Sequence, residues 1–399
     1  MLTTQSVSAK SLHAKAFPLY LTGFAAFIGL YLPQPILPLL ADTFGVDAKA
    51  SSLIISLTIL GIGLASPFMG ILSDRFGRRR ILILSSSLLG LSMLGCALSS
   101  SFSSLLIFRF LQGLLLPGLF VVAVAYTSEH LSKEAMTTAA GVYVAMTVIG
   151  GMIGRLLAGS LADLLSWRYG FLLSSLFYFA LIFIWAKQKD ADTSRLHRTL
   201  KTALSGTVMH LRNKLLVGGL VVGFFLFFAF QATFNYLPFK LKAEPFGLSS
   251  TFISFAYLSF VAGMVSAMMA GYFRKRFSLR GSFVIGFSLA ILGNLMTLSA
   301  SLSFIFMGLL VLCFGNWLVQ GLAVGYVATA TDNDRASANA LYLLFYYLGG
   351  SLGGYLPGLV FISLAYPGVI LFSVSALALG LVAASVLLKP VKSAVENLS

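Results

Sequence analysis

Residues 70–80 read Gly70-Ile71-Leu72-Ser73-Asp74-Arg75-Phe76-Gly77-Arg78-Arg79-Arg80, and 201 positions later the chain reads Gly271-Tyr272-Phe273-Arg274-Lys275-Arg276-Phe277-Ser278-Leu279. Gly70, Arg75 and Phe76 fall on Gly271, Arg276 and Phe277. A second echo is stronger. The stretch 143–159 aligns with 342–358 at an offset of 199, which places Gly150, Gly151, Gly154 and Gly159 on Gly349, Gly350, Gly353 and Gly358. Two matches near half of a 399-residue chain predict two related halves.

Around these repeats the sequence is apolar. It is 58% hydrophobic and 10% charged, and its mean hydropathy is +0.94. A soluble domain carries about 25% charged residues, so the solvent for most of this surface is lipid. A bilayer core needs about 20 apolar residues per helix. Twelve spans, from 17–40 to 366–388, use up the chain and leave no soluble domain. With the N-terminus inside, the cytoplasmic segments hold 21 of the 27 basic residues. Only Lys49, Arg168, Lys240 and Lys242 fall on the outer side, and Arg109 and Arg155 fall within spans. This bias predicts an even number of spans with both termini in the cytoplasm. It also explains the net charge of +15 without nucleic acid as a partner. The first span reads as a retained helix rather than a cleaved signal peptide. The polar stretch 187–214 is the expected cytoplasmic linker between an N-terminal six-helix bundle, 1–186, and a C-terminal one, 215–399.

The segment Gly70–Arg80 resembles the loop 2–3 signature of the major facilitator superfamily, G-x-L-x-D-R-x-G-R-[RK]-x. Arg109-Phe110-Leu111-Gln112-Gly113 is similar to the R-x-x-Q-G element of its drug:proton antiporter branch. Gly150 to Gly159 occupies the place of that branch's glycine-rich antiporter motif, but without its proline and with Arg155 amid the glycines. Gly150 to Arg155, Trp167-Arg168, Phe234-Asn235-Tyr236 and Leu341 to Gly349 look most like the YnfM-type efflux permeases. The resemblance implies an all-α polytopic fold of 12 transmembrane helices in two pseudo-symmetric six-helix bundles. It further implies alternating access in a bacterial inner membrane, driven by protons, and a monomer as the family default. It makes Gly70, Asp74 and Arg78, with Arg75 and Gly77, a latch between the halves that holds the outward-facing state. Gly77 allows the tight turn.

An arginine inside a span is a functional candidate by default. Arg109 is expected to be bonded to span 1 near Gln34, or else to snorkel outward. Arg155 faces either the cavity, where it meets an anionic or zwitterionic solute, or Asp163 two turns away. Uncharged cavity candidates are Gln34, Gln231, Asn235, Tyr236, Asn316, Trp317, Gln320 and Tyr346, and those on spans 1, 7 and 10 rank first because the superfamily lines its cavity with spans 1, 4, 7 and 10. All twelve acidic residues lie at span ends or in loops. Two embedded cations without an embedded anion predict a positive cavity and argue against lipophilic cations. A proton carrier is then Asp42, Asp74, Asp163 or a carboxylate on the solute. Cys96 and Cys313 lack metal-ligand spacing. No nucleophile–base set and no phosphate-binding loop occurs, so the chain is read as a transporter of a small solute, not an enzyme, without metal or cofactor. A facilitator or importer of the same fold stays open as the alternative to efflux.

Overall fold

The computed structural model describes residues 9–188, 210–331 and 335–388, and the described residues contain helices and no strand. In chain order the helices are α1 (Ala9–Tyr31), α2 (Leu37–Phe44), α3 (Ala48–Phe76), α4 (Arg78–Leu98), α5 (Phe102–Leu115), α6 (Pro117–His130), α7 (Lys133–Leu164) and α8 (Trp167–Ala186). They are followed by α9 (Lys214–Lys242), α10 (Ser250–Ser254), α11 (Phe260–Met296), α12 (Leu302–Thr329), α13 (Arg335–Tyr355) and α14 (Gly358–Leu387). Ten helical stretches are long and apolar enough to cross a membrane. One of them, Ser250–Met296, bends at Ser278 (φ +61°) into two crossings. Arg335–Tyr355 packs along α9 and α3 and completes twelve. Most of the linker expected over 187–214 lies outside the described residues.

Local chemistry sets the helix ends. Asp47 accepts from Ala50 N at 2.6 Å to start α3, and Asn213 accepts from Leu215 N and Leu216 N to start α9. Gly77 joins α3 to α4 at φ +94°, a conformation that disfavours any side chain. Four expected spans are not single helices, and one of them, the eighth, passes through a 3-10 turn at Phe255–Ser259 between α10 and α11. The first stops at Tyr31, passes through a 3-10 turn at Gln34–Ile36 and resumes at Leu37. Pro33, Pro35 and Pro38 lack the amide hydrogens an unbroken helix needs. The fourth bends between Leu115 and Pro117. The eleventh ends at Tyr355, before Pro357, rather than at 361.

The repeat read from the glycines is a repeat in space. A Cβ on Gly150 or Gly154 would lie 2.3 Å from Phe24 O or 2.6 Å from Ile28 O. One on Gly349 or Gly353 would lie 2.1 Å from Phe224 O or Phe228 O. Thus α7 meets α1, and α13 meets α9, backbone to backbone through equivalent positions. The halves join where α3 runs along α13 and where α7 meets α10. Alternating helix direction places the loops after α3 and α6, and the Ser278 bend, at one end, called here the basic end. Asp42–Asp47, Asp163 and Lys242 lie at the opposite end, which is closed.

Candidate substrate cavity

At the closed end, contacts cross between the halves. Lys242 Nζ lies 2.5 Å from Asp42 Oδ2. Asp163 accepts from the backbone amides of Ser250 and Thr251 at 3.2 and 2.7 Å. Ser351 Oγ donates to Ser56 O at 2.9 Å. At the centre Gln34 Nε2 donates to Asn235 Oδ1 at 2.8 Å. The bond joins the first span of the first half to the first span of the second half. Tyr236 is buried beside them, and its hydroxyl donates to Tyr355 O at 3.3 Å.

The basic end has a different pattern. Arg78 binds Asp74 at 3.0 Å, Glu129 at 2.6 Å and Ser73 Oγ at 3.2 Å, all within the first half. Arg75 lies over the Phe76 ring at 5.4 Å. A Cβ on Gly70 would meet nothing within 4 Å. The expected latch residues are therefore assembled among themselves, and these contacts stay in the first half. Nearer the closed end α3 packs on α13 at Gly63, whose Cβ would lie 3.1 Å from Tyr347 Cβ.

Between the ends lies a cavity of about 240 Å³. Helix α1 contributes Phe27 and Tyr31, α7 Gly151 and Arg155, and α9 Phe227 and Phe230. Phe260, Asn316, Trp317, Gln320, Tyr346 and Tyr347 line it from α11, α12 and α13, and Val144, Thr147, Val148 and Leu343 also face it. Phe227 stacks on Tyr346 with centroids 4.1 Å apart and 1° between planes. Trp317 stands edge-on to Phe230. Tyr342 donates to Gln320 Oε1 at 3.1 Å.

Arg155 is the cation in this wall. Its Nε and Nη2 donate to Gln34 Oε1 at 2.9 and 2.7 Å, and Nη1 donates to Gly151 O at 2.7 Å. Its guanidinium carbon sits 4.3, 4.8 and 4.7 Å from the ring centres of Tyr31, Tyr257 and Phe260. A ring face attracts a desolvated cation by about 2 kcal/mol. No carboxylate is buried among the described residues, so Arg155 has neutral neighbours. It does not pair with Asp163, whose oxygens are taken by Ser250 and Thr251.

Arg109 is equally buried but is not part of the cavity wall, contrary to its expected place there. Its Nε donates to Ile54 O at 2.9 Å, Nη1 to Gly29 O at 2.9 Å and Nη2 to Leu30 O at 2.6 Å, and it also binds Gln112 Oε1. The expected bond to span 1 is present, though to the backbone rather than to Gln34. The cause is the helix break: Pro33 has no N–H for the carbonyl of Gly29, and Arg109 supplies one. Asn316, Trp317, Gln320 and Tyr346 are in the wall as expected. Gln34 lies directly behind Arg155. Asn235 and Tyr236 belong to the closed end. Gln231 is buried one turn from Phe227, and both ends of its amide lack a partner.

Phe27, Tyr31, Phe227, Phe230 and Phe260 were not singled out from the sequence. Their signal was the helical spacing of Phe27 and Tyr31 before Gln34, and of Phe227 and Phe230 beside Gln231. With 35 phenylalanines in the chain, that spacing is common elsewhere.

Residues 19–354 match the family described as Major Facilitator Superfamily. The inner membrane transport protein YnfM of Escherichia coli K12 is 30% identical over 88% of this chain and 85% of its own. A transporter of Buchnera aphidicola subsp. Schizaphis graminum is 30% identical over 91% and 88%. A solved bacterial homologue of the human lysosomal transporter Spinster, inward-facing and unoccupied, covers 97% of this chain and 100% of its own with TM-score 0.81 at 16% identity. Two repeated bundles around a shared cavity, with a family match across most of the length, place the chain in the major facilitator superfamily of membrane transporters.

Proposed function

We propose that this protein exports a small anionic or zwitterionic solute across a bacterial inner membrane, coupled to protons, by alternating access. The observation that carries this reading is Arg155: a buried cation in the cavity wall whose partners are neutral. A charge-assisted bond to a carboxylate is stronger than a neutral one, so an anion entering the cavity is worth more to Arg155 than Gln34 and Gly151 are. The aromatic walls suit a flat or apolar body behind that anion. A volume of about 240 Å³ lies below the roughly 300–1,000 Å³ of drug-sized sites, which favours a metabolite-sized solute.

The positive-inside bias puts the basic end, with both termini, in the cytoplasm. The geometry then corresponds to a state sealed on the outer side. In this state Gly70, Asp74 and Arg78 would be unlatched, and they would engage the second half when the inner side closes. Of the three candidate proton carriers, Asp163 is the one that bridges the halves through backbone amides. Protonation would remove the acceptor charge from that contact. Asp42, exposed beside Lys242, and Asp74, tied to Arg78 within one half, are less direct.

A second reading, an uncoupled facilitator, is favoured by the lack of a carboxylate in the cavity wall. Two measurements test these readings. Thermal-shift binding with small aromatic carboxylates, zwitterions and lipophilic cations should show stabilisation by carboxylates that is lost in Arg155→Met. Stabilisation only by cations would refute the anion site. Counterflow in proteoliposomes with and without a pH gradient should depend on the gradient, and indifference would favour the facilitator.

A further inference from the structure

Arg155, Gln34 and Asn235 form one buried chain from the cavity to the contact between the halves, and its polarity is fixed from one end. A guanidinium has only donors. It therefore obliges Gln34 to turn Oε1 toward it, where it delivers two bonds at 2.9 and 2.7 Å. Gln34 is then left to offer Nε2 to the second half, and Asn235 must answer with Oδ1 at 2.8 Å. That orientation leaves Asn235 Nδ2 buried without a partner. The repeat explains why. The counterpart of Arg155 in the second half is Gly354, and a Cβ there would sit 2.7 Å from Asn235 Nδ2. The side chain on that side is Ser56, whose buried hydroxyl also has no partner, so the amide stays unsatisfied.

We infer that Gln34 is a positioning residue that couples the charge state of the cavity to the closed end. While Arg155 holds Gln34, the amide is locked and the cross-half bond is kept. An anion in the cavity draws the guanidinium away from Gln34, the lock on the amide is lost, and the contact between the halves weakens. Opening of the closed end would thus follow occupation of the cavity rather than precede it. The 3-10 turn that carries Gln34 suits this part. Pro33 and Pro35 flank it, and Arg109 binds the carbonyls of Gly29 and Leu30 just before it, so the side chain can change partners while its backbone stays fixed.

This inference rests on the proposed role of Arg155, but its test uses no solute, so the two can fail separately. Ser52 is fully buried and lies one helical turn from Ser56 toward the closed end. In a background with Cys96 and Cys313 replaced by alanine, the rate at which a maleimide modifies Ser52→Cys in purified protein reports how often that end opens. Gln34→Leu should raise the rate roughly two- to tenfold, the worth of one neutral hydrogen bond. Gln34→Glu should lower it, because a carboxylate holds Arg155 more tightly and accepts from the turned Nδ2 of Asn235. A tethered anion provides the third arm. A Cβ on Gly151 would lie 3.2 Å from Arg155 Nη1, so Gly151→Asp should raise the rate several-fold above Gly151→Asn. Melting curves verify that each variant is folded. If Gln34→Leu and Gln34→Glu shift the rate in the same direction, or if Gly151→Asp and Gly151→Asn behave alike, the coupling is refuted.

Discussion

Arg109 and Arg155 are both buried guanidiniums in the first half, and they differ in what surrounds them. Arg109 supplies hydrogen bonds to three backbone carbonyls and an amide oxygen, two of those carbonyls next to the proline break of the first span. Arg155 has a shared amide oxygen, one carbonyl and three ring faces. Removing Arg109 leaves carbonyls without donors, each costing about 1–3 kcal/mol. Arg109→Met should therefore destabilise the protein by about 3 kcal/mol or more, read as a clear drop in melting temperature. Removing Arg155 relieves a buried charge that has no counter-ion and strands only Gln34 Oε1, which can turn to accept from the orphaned Asn235 Nδ2. Arg155→Met should therefore melt within about 1 kcal/mol of the wild type while losing carboxylate binding. Equal melting of the two variants would contradict the assignment of one arginine to the scaffold and the other to the solute. The sequence marked both as embedded cations, but it could not separate them. The distinction depends on which carbonyls a proline three helices away leaves unpaired.

At the scale of elements, the glycine repeat was the most legible feature. Gly150, Gly154, Gly349 and Gly353 were visible as a pattern at an offset of 199, and each meets a carbonyl of its neighbouring helix in the same manner. A side chain at Gly353 would press on the Phe228 backbone, which has no free end to move aside, so Gly353→Leu should fail to accumulate as folded protein in a size-exclusion assay. Gly77 is a different case. Nothing crowds it, but its φ of +94° is strained for any other residue, so Gly77→Ala should cost about 1 kcal/mol and still fold. What the sequence hid was the course of the first, fourth, eighth and eleventh spans. Apolar length predicts a crossing, but in the first, fourth and eleventh spans the prolines decide where that crossing breaks. The break at Gln34–Ile36 is what aims Gln34 at both Arg155 and Asn235. The aromatic wall was hidden for another reason: facing the cavity depends on how the halves are rotated, and phenylalanine also faces lipid throughout this chain.

At the scale of the molecule, the closed end combines contacts of unequal weight. The Asp42–Lys242 pair is exposed, and exposed pairs are worth about 0–1 kcal/mol. Asp42→Asn should therefore change the balance between the two ends little. Asp163 accepts two amides of the opposite half, and Asp163→Ala should shift that balance toward opening by more than Asp42→Asn does. The central claim is that the halves pivot about the cavity, so that one end closes as the other opens. Electron-electron resonance on two spin-label pairs tests it most directly: Thr43 with Ala243 across the closed end, and Arg80 with Lys275 across the basic end. Going from wild type to Asp163→Ala, the account predicts a population in which the first distance lengthens while the second shortens. Lengthening of the first pair with the second unchanged, or both distances rising together, would contradict it.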